Sequence, residues 1–246
     1  MARARKRHVQ QDLMFHPRGG ARPGAGRPKK GKRASEPHKK RPALKPSQPV
    51  HVTLRAVDDL PRLRTRAAYQ AVREATITVL GRETCRIVHL SIQGNHVHLL
   101  VEADDRTALA RGMQAFQISA AKHINAAVSR GEAVRRRGQV FADRYHAEII
   151  TNRKQARHAL AYVLNNWRRH REHRAAFARS WLIDPFSSAW AFEGWKELEH
   201  SPTLWRLRET YRPMPVWRPK TWLLSEGWRL YGLIRVHEVP GSRTPV

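Results

Sequence analysis

One segment, residues 86–102, constrains the fold of this chain more than any other. Residues 86–92 and 96–102 are two runs of mostly apolar, β-branched residues, and Gly94-Asn95 lies between them. Such runs on either side of a turn dipeptide are typical of consecutive antiparallel strands. The sequence therefore predicts two neighbouring strands joined by a tight turn.

The second of these strands carries a His-x-His pattern. Side chains alternate between the two faces of a strand, so His96 and His98 should project side by side while Val97 points to the opposite face. Two imidazoles on one rigid face can bind a divalent metal. Two polar residues on the solvent side of a sheet would give the same pattern, so the rest of the chain must decide between these interpretations.

Further strands and helices surround this pair of strands over residues 49–173. Strand patterns cover residues 50–55 and part of 140–151, and helical patterns cover residues 63–80, 107–128 and 155–173. The order strand, helix, strand, strand, helix, strand, helix predicts a ferredoxin-like βαββαβ unit followed by one extra helix. The expected fold class is α+β, with an antiparallel sheet that carries its helices on one face.

The charge of the chain indicates a polyanionic partner. Lys and Arg number 47 against 20 Asp and Glu, which gives a formal net charge of +27. Nucleic acid is the usual partner of such a protein, and the sequence lacks the basic amphipathic helix that would favour an anionic membrane surface. Cys85 is the only cysteine, so no disulfide can form within one chain, as is typical of a reducing compartment. With no apolar stretch of bilayer length and no secretion signal, we expect a soluble, cytoplasmic, nucleoid-associated protein.

Residues 1–48 are predicted to form a disordered basic tail. They contain 15 Lys or Arg and two acidic residues, a net charge of +13, with few apolar residues and many Pro and Gly. Residues 26–33 resemble an AT-hook, although a generic basic tail would bind phosphates equally well. Arg27, Lys29 and Lys30 are its candidate DNA-binding residues.

Residues 174–246 are predicted to form a tryptophan-rich C-terminal extension with a net charge of only +4. Seven of the eight tryptophans lie in it: Trp181, Trp190, Trp195, Trp205, Trp217, Trp222 and Trp228. Indoles next to arginines can stack on unpaired bases. Large aromatic side chains are more often packed, so we expect most of them to hold a small accessory fold against the α/β unit.

The last predicted helix carries a second chemical pattern. Tyr162 and Asn166 are four residues apart and therefore share one helical face. Placed beside the two histidines, they would put a phenol nucleophile next to a metal site with three protein ligands. Arg168, Arg169 and Arg171 follow directly, where they could bind phosphates.

Three motifs together resemble those of the single-tyrosine HUH transposases, and in particular of REP-associated tyrosine transposases. They are Asn95-His96-Val97-His98-Leu99-Leu100-Val101, then Phe141-x-x-Arg144-Tyr145-His146, then Tyr162-Val163-Leu164-x-Asn166 with its basic tail. The resemblance covers about residues 49–173. It implies a Mg²⁺- or Mn²⁺-dependent single-stranded DNA endonuclease and strand transferase that acts on hairpin-associated DNA through a 5′-phosphotyrosine intermediate.

The resemblance also implies a role for each matched residue. His96, His98 and Asn166 match the metal ligands, Tyr162 matches the nucleophile, and Arg144 joins the basic residues as a candidate DNA contact. Two positions depart from the common pattern, because Gly94 and Trp167 stand where many members have proline. The second departure predicts that the helix continues beyond Asn166.

Two other functions remain compatible with the sequence. An HUH replication initiator or relaxase would use similar residues, but such proteins often carry a helicase or a third histidine in the cluster. A non-catalytic DNA-binding protein derived from such a transposase would keep the charge pattern without the chemistry. The recognised hairpin, the cleavage position and the choice between monomer and homodimer stay open.

Overall fold

The computed structural model describes residues 41–201 and 209–241, which fall within one compact unit. Arg27, Lys29, Lys30 and Trp205 therefore lie outside the described residues. The longer elements are β1 (Val50–Arg55), α1 (Arg66–Leu80), β2 (Cys85–Ile92), β3 (His96–Ala103), α2 (Arg106–Val128), β4 (His146–Ile149) and α3 (Arg153–Arg169), and a short α4 (Trp222–Ser225) lies near the C-terminus.

The four strands form one antiparallel sheet in the order β2-β3-β1-β4. With α1 and α2 placed between strands, this is the element order and strand order of a ferredoxin-like βαββαβ fold. The predicted α+β fold is therefore confirmed. Because β3 lies between β1 and β2, the His-x-His strand sits inside the sheet rather than at its edge.

The two faces of the sheet are covered by different elements. One face packs against α1 and α2, with Leu99 and Met113 in its apolar core. On the other face, Val88 and Leu100 pack with Leu160 of α3. The prediction of helices on one face holds for α1 and α2, whereas the extra helix lies on the opposite face. Helix α3 can pack there because β3 has buried apolar residues on both faces of the sheet, such as Leu99 on one face and Leu100 on the other.

Local signals explain where α3 begins and ends. The Asn152 side chain accepts a hydrogen bond from the Gln155 amide at 2.9 Å, as an N-cap residue does. The helix runs through Trp167 to Arg169, so it continues past Asn166 as expected, but it stops short of residue 173. Arg171 then adopts a left-handed backbone with φ of 57° and turns the chain away.

Segments at both ends of the predicted catalytic domain are packed onto it. Leu44 is buried in the core beside α1 and α2, and the Arg41 guanidinium lies 3.6 Å from the centre of the Tyr145 ring.

In the C-terminal extension, Trp195 and Trp228 are fully buried against the outer side of α3. The extension thus completes the core around α3. Trp222 is an exception among its tryptophans, because it is 55% exposed. Among the described helices, none combines the length and the apolar character that a bilayer crossing requires.

Replacing Gly112 with alanine should destabilise the fold by about 1–3 kcal/mol. Gly112 of α2 lies against β2, and an added Cβ would come within 2.2 Å of the Cys85 Sγ atom. Urea denaturation should show a lower unfolding midpoint for Gly112→Ala, and adding Cys85→Ala should recover part of the loss. Gly81→Ala is the matched control, because nothing lies within 4 Å of its added Cβ. Equal midpoints for Gly112→Ala and Gly81→Ala would contradict the close contact.

Candidate functional site

The candidate site lies on the face of the sheet that is covered by α3. His96 and His98 point to this face together with Leu100, as strand alternation predicts. Their ring centres are 4.6 Å apart and their planes are nearly perpendicular, at 82°. His98 is buried, whereas His96 is half-buried at the end of the strand.

Helix α3 and its C-cap residue bring two rings against these histidines. The Tyr162 ring packs edge-on against His98, with 5.0 Å between ring centres, and His170 packs against His96 at 6.0 Å. Asn166 lies one helical turn from each of them on the same face of α3, and it is fully buried. Tyr162, His96 and His98 therefore lie together, and Asn166 lies on the helical turn between Tyr162 and His170.

Several buried polar atoms at this point have no hydrogen-bond partner. They are Nε2 of His98 and both side-chain atoms, Oδ1 and Nδ2, of Asn166. Buried polar groups are normally paired, so unpaired ones call for an explanation such as a ligand or an ion. Over residues 41–201 and 209–241, no three His, Cys, Asp or Glu side chains group in a way that could hold a metal. A metal held here by three protein groups would take its third ligand from another residue type, for which the unpaired amide of Asn166 is a candidate, and nitrogen and oxygen atoms fit such an open divalent site.

Burial keeps His96 and His98 neutral. It lowers the pKa of His96 to about 4, with His170 and Arg55 adding to the effect. Burial together with His51, His96 and His170 lowers the pKa of His98 to about 2. A neutral imidazole is the form that binds a metal, so no proton needs to be displaced at neutral pH.

Two neighbours on β1 were missed by the sequence reasoning. His51 Nε2 and Thr53 Oγ1 each lie 3.1 Å from Nδ1 of His98. The His51 ring also lies 5.7 Å from that of Tyr162. The signal was available, because alternation along β1 places both side chains on one face and the ferredoxin-like order pairs β1 with β3.

A cavity of about 240 Å³ adjoins His96. Its lining residues are Arg62, Gln93, Gly94, Asn95, His96, His170 and Glu172. The buried Oε1 atom of Gln93 has no hydrogen-bond partner. The site thus has open space for a polar substrate group next to His96.

The predicted DNA-binding arginines have different surroundings. Arg144, Arg169 and Arg171 are exposed. Arg168 is half-buried, and its guanidinium donates to the carbonyl oxygens of Leu182, at 2.8 Å, and Val236. Arg168 therefore links the C-terminal extension to α3. That these four arginines contact DNA stays a prediction.

Tyr145, the other tyrosine of the motifs, has a different environment from Tyr162. It is 5% exposed and belongs to the core between the sheet and helices α1 and α2. Burial raises the pKa of its hydroxyl. A nucleophile needs access to its substrate, so this position does not favour chemistry at Tyr145.

Comparisons with known proteins address the family and the fold. Residues 48–166 match the sequence model of the family described as "Transposase IS200 like". Ten chains of solved structures match. One of them, a REP-associated tyrosine transposase bound to a REP hairpin, is 19% identical with a TM-score of 0.42, and the match covers 62% of this chain and 82% of that chain. No curated protein matches the chain.

Proposed function

We propose that this chain, whose residues 48–166 match the sequence model of the IS200-like transposases, cleaves and rejoins single-stranded DNA through a covalent bond to Tyr162. One observation carries the proposal: the Tyr162 ring lies against His98, and the unpaired amide of Asn166 lies one turn further along the same helical face. A phenol can act as the nucleophile on a phosphodiester, and two imidazoles and an amide oxygen can hold the divalent ion that assists the attack.

In the proposed reaction, the Tyr162 hydroxyl oxygen attacks the phosphorus atom of a phosphodiester. A bond forms between this oxygen and phosphorus, the bond to the 3′-oxygen breaks, and the 3′-oxygen leaves as a hydroxyl with the proton lost by the phenol. The products are a 5′-phosphotyrosine and a free 3′-hydroxyl end. Because the new ester conserves the energy of the broken one, another 3′-hydroxyl can reverse the step and join a new strand.

His96, His98 and Asn166 are the proposed ligands of the Mg²⁺ or Mn²⁺ ion. When bound, such an ion would neutralise the charge of the phosphate and polarise the phosphoryl group. The protein's own contribution is positional. Strand β3 fixes the two imidazoles, and helix α3 holds the Tyr162 ring and the Asn166 amide at a spacing of one turn.

The proposed substrate is single-stranded, hairpin-associated DNA, as the family resemblance implies. The net charge of +27 supports a nucleic-acid partner. Exposed Arg169 and Arg171 follow the proposed nucleophile at the end of α3, where they could contact the flanking phosphates.

Removing the metal should abolish cleavage and leave the fold intact. The test uses hairpin oligonucleotides with randomised single-stranded flanks, incubated with Mg²⁺ or Mn²⁺ and, in parallel, with a chelator. We expect nicked product only with metal. The melting temperature should change little, because Val97, Leu99 and Met113 pack without any contribution from an ion.

Two outcomes would contradict this proposal. A melting temperature that falls by tens of degrees on chelation would make the metal structural. Binding of the hairpin pool without cleavage under any metal condition would indicate a non-catalytic DNA-binding protein.

Removing residues 1–40 should weaken DNA binding without ending catalysis. These residues carry 13 Lys or Arg and two acidic residues, a net charge of +11 out of +27, and they include neither the proposed nucleophile nor any proposed metal ligand. The logarithm of the binding constant falls with the logarithm of the salt concentration. On single strands, this dependence should become shallower by about 0.7 for each phosphate that the tail no longer neutralises. The truncated protein should bind more weakly, with a shallower salt dependence, and nick normally at saturating DNA and low salt.

The structure refines the design of this truncation. A deletion through residue 48 would also remove Leu44 from the core and Arg41 from the Tyr145 ring, so it would confound loss of charge with loss of stability. Unchanged affinity and slope after deletion of residues 1–40 would show that the tail is not an electrostatic arm. Normal binding without cleavage would place part of the tail in the catalytic site.

A further inference from the structure

The surroundings of His98 define which of its ring nitrogens is available to a ligand. Thr53 of β1 is the direct antiparallel partner of His98, and its Oγ1 atom lies 3.1 Å from Nδ1. His51 reaches the same nitrogen with its Nε2 atom, also at 3.1 Å. Nε2 of His98 is buried and has no partner. One nitrogen therefore has two partners on β1, and the other has none.

Proton placement distinguishes the two neutral forms of His98. With the proton on Nδ1, the ring donates to His51 Nε2 or to Thr53 Oγ1, and Nε2 carries a lone pair. With the proton on Nε2, a buried N–H group would have no acceptor, which native structures rarely tolerate. The contacts therefore favour the form with Nδ1 protonated.

The neighbouring histidine shows the same arrangement. His96 Nδ1 lies 2.8 Å from the side-chain oxygen of Asn95, and an amide oxygen only accepts hydrogen bonds. With the amide in this orientation, the contact favours the form of His96 that carries its proton on Nδ1. Both histidines then present Nε2 as an unprotonated nitrogen.

We propose that His51 and Thr53 are positioning residues that hold His98 in the Nδ1-protonated form, which makes Nε2 its metal-binding atom. The proposal rests on the proposed function, because it assigns these residues to the metal site of that reaction. Groups that hold the second nitrogen of a metal-binding histidine typically change metal affinity 10–100-fold, about the effect expected here. Neither residue touches the reacting phosphate in this scheme.

The first test measures the tautomer in the metal-free, full-length protein. Long-range ¹H–¹⁵N correlation spectra distinguish a protonated from an unprotonated ring nitrogen, and we expect His98 to carry its proton on Nδ1. A wild-type spectrum with the proton on Nε2 would overturn the proposal, because His51 or Thr53 would then be donating to Nδ1. This readout needs neither DNA nor turnover, so a protein that fails to nick but shows the expected tautomer refutes only the proposed function.

The second test removes and then restores the partners of Nδ1. In the His51→Leu/Thr53→Val variant, we expect a mixture of tautomers and at least about tenfold weaker binding of Mn²⁺ alone, followed by electron paramagnetic resonance of the free ion. The His51→Gln/Thr53→Ser variant keeps an acceptor near each position and should restore most of the affinity. His158→Gln is the control for loss of a histidine, because His158 is exposed on α3.

The variants also separate a positioning role from a packing role. Thr53→Val alone preserves side-chain shape, so it gives a folded protein for the measurement if the double variant unfolds. If the tautomer and the Mn²⁺ affinity are unchanged in folded variants that lack the partners, the proposal is wrong. If the Gln/Ser variant binds as weakly as the Leu/Val variant, packing rather than hydrogen bonding explains the effect, and the proposal is also wrong.

Discussion

Tyr162→Phe should abolish the covalent DNA–protein adduct and lower the cleavage rate by roughly a thousandfold or more, as loss of a nucleophile does in other enzymes. Phenylalanine keeps the ring that packs against His98 at 5.0 Å and against His51 at 5.7 Å, and it removes only the hydroxyl. DNA affinity and the melting temperature should therefore stay close to those of the unaltered protein. The loss would then be assigned to chemistry rather than to folding.

Tyr145→Phe is the matched control for this prediction. Tyr145 shares a motif with Arg144 and His146, but it is buried in the core on the other side of the sheet from Tyr162. Its hydroxyl has no hydrogen-bond partner, so the variant should cleave DNA at nearly the normal rate. Mass spectrometry of the trapped adduct decides between the two tyrosines. An adduct on Tyr145, or one that persists in Tyr162→Phe, would refute the assignment.

Local sequence patterns predicted most of the fold and the proximity of the main site residues. Alternation placed His96 and His98 on one face, and the one-turn spacing of Tyr162 and Asn166 placed them on one side of a helix. Both patterns are properties of a single element, so they need no knowledge of tertiary structure. The element order then favoured a ferredoxin-like topology because few arrangements accommodate it.

The sequence reasoning missed features that depend on long-range pairing. The contact of His51 with His98 spans 47 residues and follows from the register between β1 and β3. The burial of Trp195 and Trp228 against α3 depends on the path of a C-terminal segment with little regular structure. Periodicity gives no information about such a path, and the extension could be recognised only by its tryptophan content.

A buried ion pair links this extension to the strand that precedes the histidine turn. Arg64 and Asp184 have side-chain exposures of 1% and 0%, and they form two parallel hydrogen bonds of 2.8 and 3.0 Å. Arg64 also donates to the carbonyl oxygen of Ile92 at 2.7 Å. The Ile92 carbonyl lies just before the turn that leads to His96, so the ion pair braces the turn from the side of the extension.

Asp184→Ala should destabilise the fold by about 3–5 kcal/mol, because it removes two hydrogen bonds from the buried Arg64 guanidinium and leaves it only the longer, 3.8 Å ion pair with Glu172. The measurement is the free energy of unfolding in urea. Asp58→Ala is the matched control, since Asp58 pairs with Arg55 at 3.0 Å but its side chain is 88% exposed. Exposed pairs contribute about 0–1 kcal/mol, so the control should lose no more than that.

A double substitution isolates the cause of this loss. Arg64→Met/Asp184→Leu removes both charges and fills the space with apolar side chains, so it should be more stable than Asp184→Ala. Comparable losses in Asp184→Ala and Asp58→Ala would show that the buried pair is not required for stability. If the double variant is less stable than Asp184→Ala, the loss comes from the geometry around the Ile92 carbonyl and the extension rather than from a weakly paired charge.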